Sequence, residues 1–264
     1  VAIITCIMLC YPFSVTLGVP EVSTRERYVA PRASQLLFEN FKARFDEIIN
    51  NIGTKYYLKQ DILKAAWIYV GPIGDYGWTH AHNYAREKVD AKYGWLNTTY
   101  AESVKPAELK ATIDSLVDQG YKLIFTTSFD FMQGTYEAAE EHPDVIFFHC
   151  SGYMRRQNMG TYFAELYQVY YLNGLMAGAL TKTGKLGYIA AHLIPEVYRH
   201  IDAFALGALE AARYLNKSVH IYVTEIGAWY DPTKARELAE YLVTEFDVDV
   251  LAFTEDSPAT IQYC

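Results

Sequence analysis

Cysteine is scarce. Four of 264 residues, Cys6, Cys10, Cys150 and Cys264, are too few and too scattered for a disulfide framework or a zinc knuckle, and they leave the redox compartment open. Glycine and proline are sparse too, at 16 and 9 residues, which excludes collagen-like and linker-like polymers. Charged residues make up only 20% of the chain, unlike an intrinsically disordered sequence. There is no basic block: 23 Lys and Arg stand against 31 Asp and Glu, a net charge of −8. Such a chain is a poor nucleic-acid binder, because neutralising phosphate dominates that affinity.

Several catalytic signatures are missing as well. No Gly-rich loop ends in Lys-Ser/Thr, and Gly71, Gly74 and Gly77 do not have the two-then-three spacing of a dinucleotide fingerprint. No serine sits in a Gly-x-Ser-x-Gly elbow. His80 and His82 lack a partner at a recognisable metal-ligand spacing, so no metal or other cofactor is expected. Asp130, Glu255 and Asp256 could act as acid or base, but loops carry such residues routinely. The signal for an enzyme is faint.

What the chain does have is apolar: 51% hydrophobic residues and 15% aromatic, including 23 tyrosines. At this length that supports one large or two modest domains with a real core. Residues 1–18 carry no charge and read as a signal or anchor segment, although no basic flank precedes them and Leu9 stands where lipidation of Cys10 needs a small residue. The alternative is a buried N-terminal strand or helix. Residues 19–62 form a polar arm with one helical stretch, Gln35 to Ile49, in which Leu37, Phe41, Phe45 and Ile48 share a face.

From Ala65 onward, apolar runs alternate with helical periodicity. Strands are expected at 65–70, 97–104, 122–127, 144–150, 160–163, 185–191, 219–226 and 248–254, with helices between most of them. Strands separated by helices in this way imply parallel βαβ units and an α/β fold. Residues 115–130 echo 241–257 as helix end, turn, apolar strand and a Thr/Ser/acidic loop, which favours two similar lobes at 63–163 and 164–264 over one continuous sheet. In open parallel sheets ligands bind beyond the carboxyl ends of the strands. The loops expected there are 71–82, 126–131, 190–196, 227–232 and 254–259. They supply the candidate ligand-binding residues Asp75, Trp78, Trp229 and Asp256, to which a family resemblance adds Thr79, Ser128 and Phe129. Trp78 and Trp229, one per lobe, suit a flat polar ring, although core packing competes as an explanation for each. Asp231 before Pro232 reads more simply as a helix N-cap.

Residues 158–191, NMGTYFAELYQVYYLNGLMAGALTKTGKLGYIAA, strongly resemble the signature stretch of the basic membrane protein family of substrate-binding lipoproteins. GDYGWTHAH (74–82) matches that family's Asp-x-x-Phe-Asn-Gln stretch, with Trp78 at the aromatic position, Thr79 for Asn and His80 for Gln. IPEVYRHIDAFALGALEA (194–211) and AWYDPTKARELAEYL follow in order, so the resemblance runs from about Ala65 to Ile261. It implies a type I periplasmic-binding-protein-like fold of two Rossmann-like lobes with parallel sheets, closing over a purine nucleoside with aromatic sandwiching of the base. It also implies an extracytoplasmic, membrane-associated, monomeric protein that is not an enzyme and serves an ABC permease. In this family the chain continues beyond the third strand of lobe two, so that lobe is expected to be incomplete here. Thr79 and His80 replace an amide pair, and Ser151 stands where relatives often carry an acid.

Two other classes remain open: a Rossmann-type enzyme using a nucleotide cofactor, and an intracellular ligand-sensing regulator on the same fold. The sequons at Asn97 and Asn216 are compatible with an external location.

Overall fold

The computed structural model describes residues 62–264 together with Met8–Leu9. The polar arm and its expected helix, Gln35 to Ile49, lie outside the described residues, as does most of the apolar run at 1–18. The elements are β1 (Met8–Leu9), β2 (Leu63–Ile68), α1 (Trp78–Lys92), β3 (Leu96–Ala101), α2 (Leu109–Asp118), β4 (Leu123–Thr126), α3 (Met132–Glu141), β5 (Ile146–Cys150), β6 (Met159–Tyr162), α4 (Tyr167–Leu180), β7 (Lys185–Ala190), α5 (Pro195–Tyr214), β8 (His220–Glu225), α6 (Pro232–Phe246), β9 (Val250–Thr254) and α7 (Ala259–Tyr263). Short 3₁₀ turns, Pro106–Glu108 and Phe129–Phe131, lead into α2 and α3.

Two sheets result. The first is wholly parallel in the order β3-β2-β4-β5-β6. The second runs β1-β9-β7-β8, with β7, β8 and β9 parallel and β1 antiparallel at the edge, where Met8 pairs with Leu251 and Leu9 with Val250. The internal echo is therefore topological. β3-β2-β4 of the first sheet and β8-β7-β9 of the second share one order, and the two echoing segments end in β4 and β9.

Both faces of each sheet are covered, as the period-2 pattern of the strands requires. On β2, Ala66 and Ile68 join Ile113, Ile124, Phe131 and Phe147 in one core, while Leu63, Ala65 and Trp67 form a second core with Leu96. On β9, Val250 and Ala252 face Tyr188 and Phe204, while Leu251 and Phe253 face Ile189 and Leu242. Helices α4 and α5 touch backbone to backbone. A Cβ on Gly174 would stand 2.0 Å from the Phe204 carbonyl oxygen, and one on Gly207 would stand 2.1 Å from that of Tyr171. This close crossing seats the N-terminal ends of both helices at the rim of the second sheet.

Several helix ends are fixed by chemistry readable in the sequence. The Asp231 carboxylate accepts from the Lys234 N–H at 2.9 Å, with Pro232 at the first helical position. Gly120 takes φ +87° after α2, the left-handed conformation that ends a helix at little cost to glycine. α7 is only five residues long, too short for periodicity to reveal it.

Candidate functional site

The loops beyond the carboxyl ends of β2, β4, β5, β8 and β9 converge on one cavity of about 160 Å³, walled by both sheets' loops and by the N-terminal turns of α4 and α5. About 10–15 Å³ on the same measure holds one water, so the cavity takes a multi-atom solute. Six of the seven residues expected from sequence line it: Asp75, Trp78, Ser128, Phe129, Trp229 and Asp256. Thr79 does not. It is fully buried behind the loop, its N–H donates to Asp75, and its hydroxyl lies 3.1 Å from where a Gly71 Cβ would stand.

A side chain at Gly71 would crowd the Thr79 hydroxyl. A Cβ on Gly74 would face open space, and one on Gly77 would stand 3.7 Å from the Asp256 backbone.

Asp75, 1% exposed, ties down the start of α1. Its two oxygens accept from the N–H groups of Gly77, Thr79 and His80 at 2.8, 2.8 and 2.9 Å, supplying partners to a helix end that has no capping side chain at Gly77 itself. Trp78 follows at once. Its indole N–H donates to the Thr127 carbonyl, and its ring lies against His82 and Phe163 at 4.7 and 6.1 Å. The ring is thus oriented by lobe-one contacts and contributes to the cavity wall. In lobe two, His192 meets Trp229 edge-on at 5.1 Å, and the Trp229 carbonyl accepts from the Asp256 N–H at 2.8 Å, joining the β8 and β9 loops. Ser128 is buried, and its hydroxyl accepts from the Asp130 N–H at 3.3 Å.

The cavity is acidic. Asp75, Glu196, Glu255 and Asp256 line it, and among the described residues no Lys or Arg does. Burial, and then the neighbouring charges of Asp75, Glu255 and Glu196, push the Asp256 carboxyl well above the usual carboxylate range. Burial lifts Glu255 to about 7 against the hydrogen bonds of Ser257 and Thr260. Glu196 is also raised by burial, with the Ser151 hydroxyl, which donates to it from lobe one, opposing.

Glu196, Tyr170 and His200 were not among the expected residues. The signal was present: Glu196, Val197 and His200 recur at i, i+1 and i+4 in the first turns of α5, which places them on one face. A histidine on an apolar helix face is read by default as core.

A metal has a weak case. Among the described residues, Asp114, Glu141 and His142 bring their ligand atoms within 4.8 Å of one another. The Lys110 ammonium already pairs with both acids, and His142 Nε2 is 2.8 Å from Asp114. His80 and His82 are engaged with backbone carbonyls of Ile73 and Trp78.

The family described as ABC transporter substrate-binding protein, PnrA-like, matches residues 62–261. The chain belongs to this family. A Haloferax volcanii protein named as an ABC transporter glucose-binding protein is 41% identical over 202 residues, 76% of this chain and 50% of its own. A purine-binding protein of Brucella abortus is 38% identical over 205 residues, 77% of this chain and 57% of its own. Among solved structures, an ABC transporter solute-binding protein from Aeropyrum pernix K1 superposes with a TM-score of 0.68 at 18% identity, covering 76% of this chain and 58% of that one. The fold is the two-lobed α/β fold of type I periplasmic binding proteins. The chain spans about half the length of the curated relatives it matches.

Proposed function

We propose that the protein is a non-catalytic solute receptor for an ABC importer, and that its ligand is a purine nucleoside held between Trp78 and Trp229. One observation carries the reading: two tryptophans from the corresponding ends of two sheets line a single cavity. Base-to-aromatic stacking contributes about 1–3 kcal/mol per base, and two rings on opposite lobes couple that energy to lobe closure. The chemistry of the lining argues for a nucleoside over a nucleotide. Four carboxyl groups and, among the described residues, no facing cation leave a phosphate without a partner, whereas the amino and hydroxyl donors of a nucleoside suit them. The same lining weighs against the nucleotide-cofactor enzyme, which needs a phosphate cradle.

The reading also takes the protein to lie outside the cytoplasm and to meet a membrane permease, on the strength of the family's named role, and to act as a monomer. It does not rest on residues 1–18. No helix among the described residues is long and apolar enough to cross a membrane.

A thermal-shift panel tests the ligand: adenosine, guanosine, inosine, uridine, adenosine monophosphate and glucose. A rise in Tm with purine nucleosides, and none with the monophosphate, supports the reading. A rise with glucose alone replaces the nucleoside with a sugar, and no response to any compound removes the receptor function.

A further inference from the structure

One residue at the cavity carries a backbone conformation that its side chain disfavours. Among the described residues, five that are not glycine have a left-handed backbone: Tyr76, Ser103, Ser151, Asn216 and Asp247. Asn and Asp tolerate that region through their short polar side chains, whereas a bulky residue is strained there. Tyr76, at φ 59°, is the bulky one. Its loop holds Gly71, Gly74 and Gly77, yet none of these takes a positive φ, and the strain falls on the tyrosine instead. Tyr76 and Ser151 both line the cavity, and strain of this kind gathers where a site uses it.

The turn holds Tyr76 from both sides. The Asp75 carboxylate accepts from the Gly77 N–H at 2.8 Å, a span in which Tyr76 is the middle residue, and from the Thr79 and His80 N–H groups beyond it. The Asp75 N–H donates in turn to the Pro72 carbonyl at 3.1 Å. The ring itself stays in the open. It is 81% exposed and lies beside the His80 ring, with centroids 6.2 Å apart and planes 29° apart. Core packing therefore does not explain the position, because a core side chain would offset the strain by burial. Tyr76 stands at the cavity rim, two residues before Trp78, with its apolar face free.

We infer that Tyr76 is the cover of the cleft: its ring packs over the bound ligand at the cavity mouth and slows release. The inference rests on the receptor reading above and adds a residue that sets how long the ligand stays rather than which ligand enters. An aromatic ring exposed at the rim has apolar area to bury only once the cavity is filled, so its contact belongs to the bound state. A contact of that kind acts on dissociation, because a group that meets the ligand only after entry leaves the encounter unchanged. The pinned turn already keeps the ring at the rim in the free protein, which leaves little ordering to be done on binding.

The test is stopped-flow binding of adenosine to the full chain in wild type, Tyr76→Gly, Tyr76→Asn and Tyr76→Phe, with a thermal melt of each. Tyr76→Gly and Tyr76→Asn suit a left-handed backbone. Both are expected to raise koff at least threefold, to change kon less than koff, and to melt no lower than wild type. Lost retention without lost stability is a combination that a merely structural ring does not give. Tyr76→Phe, which returns the ring, is expected to restore koff to within twofold of wild type. A koff raised less than threefold by Tyr76→Gly and Tyr76→Asn overturns the inference, as does a kon that rises in step with it. A Tm that falls in both variants makes the ring structural and overturns it too. So does a Tyr76→Phe that releases adenosine as fast as Tyr76→Gly, which moves the contact to the hydroxyl. Those results leave the receptor reading intact. Wild type that does not bind adenosine defeats both.

Discussion

The indole N–H of Trp229 donates to the Asp130 carboxylate at 3.0 Å, joining the β8 loop of one sheet to the β4 loop of the other. Together with the Ser151–Glu196 hydrogen bond, it joins the two lobes across the cavity. A residue that joins the lobes is thus one of the two proposed to stack on the ligand. Closure and ring binding share a side chain.

Asp130→Ala removes this link without touching the cavity wall, since Asp130 is exposed and does not line it. A hydrogen bond of this kind is worth about 0.5–1.5 kcal/mol, enough to shift a two-state opening several-fold. Small-angle scattering of the ligand-free variant is expected to show a larger radius of gyration than wild type. Identical profiles would mean that Trp229 and Asp130 do not govern opening.

Trp78→Ala is expected to weaken nucleoside binding by about 1–3 kcal/mol, roughly five- to 150-fold in Kd, beside a loss of stability from its Thr127, His82 and Phe163 contacts. Titration of the folded variant checks this. Unchanged affinity would return Trp78 to a purely structural role beside His82 and Phe163.

The acid cluster sets a pH dependence of stability. Glu255 is 5% exposed and keeps its proton up to about pH 7 in the folded state, against an ordinary value of 4.5. Between these values the folded state binds more protons than the unfolded chain, so stability is greatest at low pH and falls as pH rises through the window, then levels off. Asp256 shifts in the same direction, and the two titrate together with the other acids of the cavity. Melts from pH 4.5 to 8 are expected to show a loss on the order of 2–3 kcal/mol. Glu255→Gln should flatten that slope; an unaltered slope would place its origin elsewhere.

Gly207→Ala tests the α4–α5 crossing that carries Tyr170 and His200 to the cavity. The added Cβ would meet the Tyr171 carbonyl oxygen at 2.1 Å and the Leu175 nitrogen at 2.8 Å, both rigid backbone. Forced separation of the helices is expected to cost ~1–3 kcal/mol or more in urea unfolding. A neutral effect would show that the helices part easily.

Much of the fold was legible because its cause is local. The β2 and β9 runs are short, apolar and bounded by turn residues, and the echo between 115–130 and 241–257 reports a shared topology. Trp78 and Trp229 could be placed at the cleft because strand ends dictate where loops gather. The α5 wall was not legible in the same way. Glu196 and His200 reach the cavity from a helix whose N-terminus is positioned by the Gly174–Gly207 crossing, and that contact depends on residues far apart in the chain. Thr79 failed as a lining residue for a related reason. Its place is set by Asp75 and Gly71, which turn the first residues of α1 so that Trp78 faces the cavity and its neighbour faces the core.

Calorimetric titration of the wild-type protein with adenosine tests the central claim most directly. The account predicts saturable 1:1 binding that Trp78→Ala and Trp229→Ala each weaken severalfold or more. Absence of heat with adenosine, guanosine and inosine, or binding that both tryptophan variants leave unchanged, would contradict it.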